Sequence, residues 1–266
     1  MMISGVLIAT AIVAGIGILI GLILGIAAIR LHVDVDEKEQ AVLEALPGNN
    51  CGGCGYPGCS GCAAAIAKGQ APVNQCPVGG APVAEVISEI MGVAAGTQEK
   101  MVAYVHCGGD CDKAAVSYDY AGASDCRLMN QAPGNGPKTC TYGCLGGGSC
   151  VSVCQFDAIH VVNGIAVVDK DACKACKKCI NICPRHLIDL VPYSATEVVT
   201  CKSQDKGADV NKYCKVGCIA CHICEKNCPS GAITVENNVA HIDQEKCTHC
   251  GTCAEKCPKK AIRVVG

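Results

Sequence analysis

The sequence predicts an α+β chain: one N-terminal transmembrane helix, then a small helical cysteine-rich domain, then two tandem units built on short β-hairpins. Three observations carry that prediction. No charged side chain occurs before Arg30, 26 cysteines stand among 266 residues, and an eight-cysteine pattern recurs at an interval of 74 residues.

The stretch Ile3–Ile29 consists mainly of Ile, Leu, Val, Ala and Gly. It exceeds the ~20 apolar residues that a helix needs to span a bilayer. A cleaved signal peptide fits less well, because no basic start and no small-residue cleavage site frame the run. Arg30 and Lys38 follow the helix and nothing basic precedes it. The positive-inside bias therefore predicts a single-pass protein of the cell (inner) membrane, with its soluble cluster domains on the cytoplasmic side. Gly17, Gly21 and Gly25 share one face, which is either a surface for a partner helix or the ordinary glycine content of an anchor.

A charged stretch, Asp34–Glu39, leads into a short helical pattern that stops near Pro47 and Gly48. The cysteines begin there. Cys51, Cys54 and Cys59, in a glycine-rich loop, are followed by an Ala-rich helical run and Cys76-Pro77, which predicts one four-thiolate site. Cys62 reads as a buried packing thiol. An amphipathic helix is expected over Ala84–Ala95, and then a short apolar strand ending at Cys107.

The plainest motif is Cys247, Cys250, Cys253, Cys257 and Pro258, a C-x2-C-x2-C-x3-C-P run. Three thiolates of such a loop cap one [4Fe-4S] cluster and the fourth reaches its neighbour. Cys140, Cys144, Cys150, Cys154, Cys173, Cys176, Cys179 and Cys183 are matched by Cys214, Cys218, Cys224, Cys228, Cys247, Cys250, Cys253 and Cys257. Turns at Asn163-Gly164 and Asn237-Asn238 fall at the same place in each repeat, as hairpin turns should. Each repeat thus reads as a ferredoxin-like 2x[4Fe-4S] unit. In the second, Cys218, Cys221 and Cys224 go with Cys257, and Cys247, Cys250 and Cys253 go with Cys228. In the first, Cys173, Cys176 and Cys179 go with Cys154. Gly147 stands where a ligand equivalent to Cys221 is needed, and Cys140 is the substitute by spacing, giving Cys140, Cys144, Cys150 and Cys183.

Five [4Fe-4S] clusters are expected on these sets. A sixth on Cys107, Cys111 and Cys126, with Cys201 or Cys214 as fourth ligand, stands beside the reading of these residues as packing thiols or a redox pair. The expected organisation is 1–30 transmembrane helix, 31–97 linker and single-cluster 4Fe-4S domain, 98–134 cysteine-containing connector, 135–192 first ferredoxin-like unit, 193–213 connector and 214–266 second unit. Disulfides do not explain such runs. The net charge of −2 argues against nucleic acid. Gly146, Gly147 and Gly148 lie between ligands, without the strand–turn–helix context of a dinucleotide site, so neither NAD nor flavin is expected to bind. Lys174, Lys177 and Lys178, with Lys256, Lys259 and Lys260 in the second repeat, form either a docking rim for an acidic carrier or a solvated face. His106, His186, His222 and His249 lie beside cysteines and read as tuning or packing groups.

The order of apolar helix, Leu46-Pro47-Gly48-Asn49-Asn50-Cys51, Cys54, Cys59, Cys76-Pro77 and ferredoxin repeats resembles the B subunit of the Rnf complex, the ion-translocating ferredoxin:NAD oxidoreductase. That resemblance implies an electron-transfer subunit that accepts electrons from reduced ferredoxin and relays them to membrane and peripheral partners, while NAD reduction and ion pumping occur elsewhere. The competing readings are a membrane-tethered polyferredoxin serving a separate dehydrogenase or hydrogenase without ion pumping, and an iron–sulfur protein of sensing or cofactor assembly.

Overall fold

The computed structural model describes residues 14–26, 30, 36–96 and 99–264. Residues 14–26 are helical (α1), and the rest of the expected membrane span lies outside the described residues. No described helix is long and apolar enough to cross a membrane.

The first soluble domain packs three helices: α2 (Glu37–Ala45), α3 (Gly58–Ala67) and α4 (Gly80–Met91). Asp36 caps α2 by accepting from the Lys38 amide at 2.9 Å, and Glu37 and Glu39 in its first turn favour the positive end of the helix dipole. The α4 helix begins a turn earlier than the expected Ala84 and stops at Gly92, whose φ of 67° closes it in the left-handed conformation. Val42, Ile66 and Ile87 are wholly buried where the helices meet. Each such side chain contributes about 1.5–3 kcal/mol of burial. Cys62, 1 % exposed, completes this core as expected of a packing thiol.

The strands come next. Strand β1 (Met101–Val105) pairs antiparallel with β4 (Ile188–Pro192), and enclosed between them in sequence is the hairpin of β2 (Ile159–Val162) and β3 (Ile165–Val168). Farther along, β5 (Glu197–Val199) pairs antiparallel with β8 (Ile262–Val264) around the hairpin of β6 (Ile233–Glu236) and β7 (Val239–Ile242). Both hairpin turns carry two residues with positive φ, Asn163 and Gly164 then Asn237 and Asn238, the conformation that matches the twist of the flanking strands.

Each hairpin is thus flanked by a strand pair whose first strand, β1 or β5, lies before residue 135 or 214. The closing contact is the same in both: the His106 amide donates to Leu187 O at 2.8 Å and the Thr200 amide to Ala261 O at 2.7 Å. The first of these amides is 94 residues from its counterpart and the acceptors are 74 apart, so the first unit holds an extra 20 residues between its opening strand and its ligand loop. That insertion contains the short helix α5 (Cys126–Gln131). The periodicity of the cysteines hides it, because the repeat is exact only after Cys140.

Candidate metal centres

Ligand loops of both units share one backbone device. Residues with positive φ occur in pairs at Gly146 and Gly148, Ala175 and Lys177, Ala220 and His222, and His249 and Gly251. Alternation of this kind turns successive amides inward and forms a concavity that receives an anionic group. Amides also point at individual sulfurs: Ala103 to Cys173 and Ala166 to Cys144 at 3.4 Å, and Ala261 to Cys257 at 3.3 Å. Such bonds favour thiolate and tune a cluster's potential. Burial, with the charge of neighbouring cysteines, acts the other way, pushing the thiols of Cys150 and Cys179 up to about 12. Without a cation they stay protonated, and coordination is what ionises them.

Four sulfurs surround each cavity of the second unit. Cys218, Cys221, Cys224 and Cys257 line one, and Cys228, Cys247, Cys250 and Cys253 the other. In the first unit Cys154, Cys173, Cys176 and Cys179 line a third. The lining of the remaining cavity of that unit differs from the expected set in one residue. It is lined by Cys126, Cys144, Cys150 and Cys183, and Cys140 is not among them. A Cβ on Gly147 would lie 2.9 Å from the Cys126 amide nitrogen, so the insertion fills the space of the absent cysteine and brings its own sulfur there. The Cys126 amide is held by Ser149 Oγ at 2.7 Å, and Asp125, whose carboxyl the Arg127 guanidinium keeps well below its usual range, caps the helix. Cys126 could have been found from the missing ligand at Gly147 together with the longer first unit.

In the helical domain Cys76 has Cys54 and Cys51 as sulfur neighbours, and the Cys59 amide donates to Asn50 Oδ1 at 2.8 Å, which folds the loop back on itself. Cys62 lies against Cys54 in the domain core. This loop touches the first ferredoxin unit: a Cβ on Gly53 would stand 3.0 Å from Cys176 Cα, so only glycine lets the two backbones meet. Cys111 contacts Gly164 at the hairpin and belongs to no four-cysteine cavity.

The spacing of these sulfurs suits clusters better than single ions. A tetrahedral zinc at ~2.3 Å from each thiolate would hold its sulfurs about 3.8 Å apart. Among the described residues, the group of ligating side chains gathered within 4.8 Å is Glu197, Cys247 and His249, with one sulfur. Glu197 is 2 % exposed and accepts from Thr196 Oγ1, with His249 Nδ1 at 3.2 Å.

Family models match at both ends of this array: "Putative Fe-S cluster" over residues 46–78 and "4Fe-4S dicluster domain" over residues 217–261. The B subunit of an ion-translocating oxidoreductase complex from Methanosarcina acetivorans is 44 % identical over 96 % of each chain. This chain belongs to that B-subunit family. Its counterpart in the Na+-translocating ferredoxin:NAD+ oxidoreductase complex of Acetobacterium woodii is 45 % identical over 92 % of this chain and 74 % of its own. The B subunit of the proton-translocating ferredoxin:NAD+ oxidoreductase complex from Clostridium ljungdahlii is 40 % identical over 87 % of this chain and 82 % of its own. Membership in this family accords with the four-cysteine cavities and with iron–sulfur chemistry.

The buried Glu197 carboxylate places negative charge beside the Cys247 sulfur. Glu197→Gln is therefore expected to raise the lowest-accessible midpoint potential of the second unit by roughly 50–100 mV. Spectroelectrochemistry would read the shift, and an unchanged potential would mean that the carboxylate is neutral or screened there.

Proposed function

We propose that the chain is the electron-accepting subunit of an ion-translocating ferredoxin:NAD oxidoreductase, with reduced ferredoxin as donor and other membrane and peripheral subunits as recipients. A cluster on each cysteine set takes up and releases one electron at a time. The observation that carries the reading is an asymmetry of exposure. Cys250 of the second unit, like Cys221, is open to solvent, whereas its counterpart Cys176 in the first unit is buried against the Gly53 loop. The second unit therefore receives the soluble carrier, and the helical domain, which leads directly from α1, faces the membrane partners. The chain is anchored by the apolar residues 3–29, with residues 31–266 in the cytoplasm.

Five ligand sets follow: Cys51, Cys54, Cys59 and Cys76; Cys154, Cys173, Cys176 and Cys179; Cys126, Cys144, Cys150 and Cys183; Cys218, Cys221, Cys224 and Cys257; Cys228, Cys247, Cys250 and Cys253. Exposed Lys256 and Lys260, with half-buried Lys259, supply a basic rim beside the second unit's ligands. The tethered-carrier reading is less supported, because relatives across nearly the whole chain are named as subunits of translocating complexes.

An anaerobic absorbance titration of the full chain tests this. Reduced ferredoxin is expected to bleach the cluster bands within seconds and NADH to leave them unchanged; bleaching by NADH would refute the assignment. Reversing the charge of Lys256, Lys259 and Lys260 together should slow bleaching at low salt by about tenfold, the scale of electrostatic steering. An equal rate would make those lysines a merely solvated face.

A further inference from the structure

A fifth cavity lies between the two ferredoxin units, and its sulfurs come from four separate segments: Cys107, Cys140, Cys201 and Cys214. We propose that these four cysteines bind a sixth [4Fe-4S] cluster that joins the units. The proposal rests on the cluster reading above and adds a site that the two repeats make together.

Pseudo-symmetry of the site is the first support. Cys107 follows β1 and Cys201 follows β5, each one residue after the amide that closes its unit against Leu187 or Ala261. Cys140 and Cys214 are the first cysteines of the matched repeats. Each unit thus contributes the same two positions. The glycines that make room also correspond: a Cβ on Gly143 would lie 3.5 Å from Cys140 Sγ, and one on Gly217 would lie 3.4 Å from Cys214 Sγ. Backbone bonds hold the seam shut, with the Gly108 amide donating to Thr200 O at 2.8 Å and the Ala115 amide to Tyr213 O at 2.7 Å.

Lining and charge complete the argument. The cavity is lined by four sulfurs, as is each of the four ferredoxin-type cavities of this chain. No three of its sulfurs approach one another within 4.8 Å, which is too open for one zinc ion. Lys138 on its wall is 6 % exposed, and its ammonium donates only to carbonyls, Gly109 O at 2.7 Å and Gly164 O at 3.3 Å. Among the described residues no carboxylate pairs with it. A buried ammonium needs an anion, and a four-thiolate cluster is one. The site also touches its neighbours on both sides. The Cys144 amide donates to Cys107 Sγ at 3.3 Å, and Cys201 lies beside Cys218.

Iron and acid-labile sulfide in the full chain, purified without oxygen, decide the matter. Six sites hold about 24 iron atoms per chain and five hold about 20. The wild type is expected near the higher figure. Cys201→Ala and Cys214→Ala should each lose about one-sixth of the iron, and Cys111→Ala none. Native alkylation of the wild type, which needs no variant to fold, should leave Cys107, Cys140, Cys201 and Cys214 unlabelled. A wild type near 20 iron atoms with those four thiols labelled, or one equivalent of zinc in their place, would overturn the proposal. Reduction by ferredoxin is read separately, so loss of the functional assignment would leave the iron count standing.

Discussion

Cys126→Ala is expected to lose about four iron atoms per chain, together with the spectral signature of one cluster in the first ferredoxin unit. The effect is large because the cavity of Cys144, Cys150 and Cys183 has no other sulfur close at hand: Gly147 offers no side chain, and Cys140 lines the neighbouring cavity. Restoring the simple ferredoxin pattern does not rescue it. A side chain at position 147 would start 2.9 Å from the Cys126 amide nitrogen and 2.6 Å from Met129 Sδ, so Gly147→Cys must displace α5 before its sulfur can reach the cavity. Iron analysis and electron paramagnetic resonance of the two variants check this. Full iron in Cys126→Ala would favour Cys140 as the fourth ligand of that set.

Stripping the iron is expected to unfold both ferredoxin units rather than leave an empty scaffold. The core of the second unit consists of eight buried residues, Val199, Cys224, Ile233, Val239, Ala240, Cys253, Ala254 and Ile262, of which two are proposed ligands. The chain is only 3 % aromatic, with one Phe and no Trp, so little aromatic mass is at hand to fill the cavities when the metal leaves. Structural metal sites in small domains contribute about 10–16 kcal/mol, as measured for zinc, whereas whole domains are stable by only ~5–15 kcal/mol. Circular dichroism after anaerobic chelation with an oxidant would show the loss. A native spectrum in the metal-free chain would mean that the hairpins and the β1–β4 and β5–β8 pairs stand without their clusters.

What could be read from the sequence was whatever one short loop supplies. The run from Cys247 to Cys257 fixes three ligands by itself, and the turns at Asn163-Gly164 and Asn237-Asn238 fix the hairpins, because their chemistry is local. The set at Cys107, Cys140, Cys201 and Cys214 takes one sulfur from each of four segments, so no spacing announces it. Its sign was indirect: a cysteine just past the strand in both β1 and β5. The place of Cys126 beside Cys144, Cys150 and Cys183 escaped for a related reason, since nearness in sequence favoured Cys140 and only the folded insertion brings the Cys126 sulfur to that cavity. Cys62 was legible as a packing thiol because a lone cysteine inside an Ala-rich helix has an ordinary apolar role.

The closure of each unit by its own first strand, with a cysteine placed just beyond it, bears on modularity. A piece cut out at the cysteine repeat, from Cys140 or from Cys214, would lack the strand that seals it and would part its own seam cysteine from the Cys107 or Cys201 of the same unit. The first piece would also leave Cys126 behind. The two halves, alike as they are in sequence, cannot be exchanged, duplicated or deleted one at a time without costing the other a ligand pair. Duplication in this chain has produced not two beads on a string but a single interlocked body.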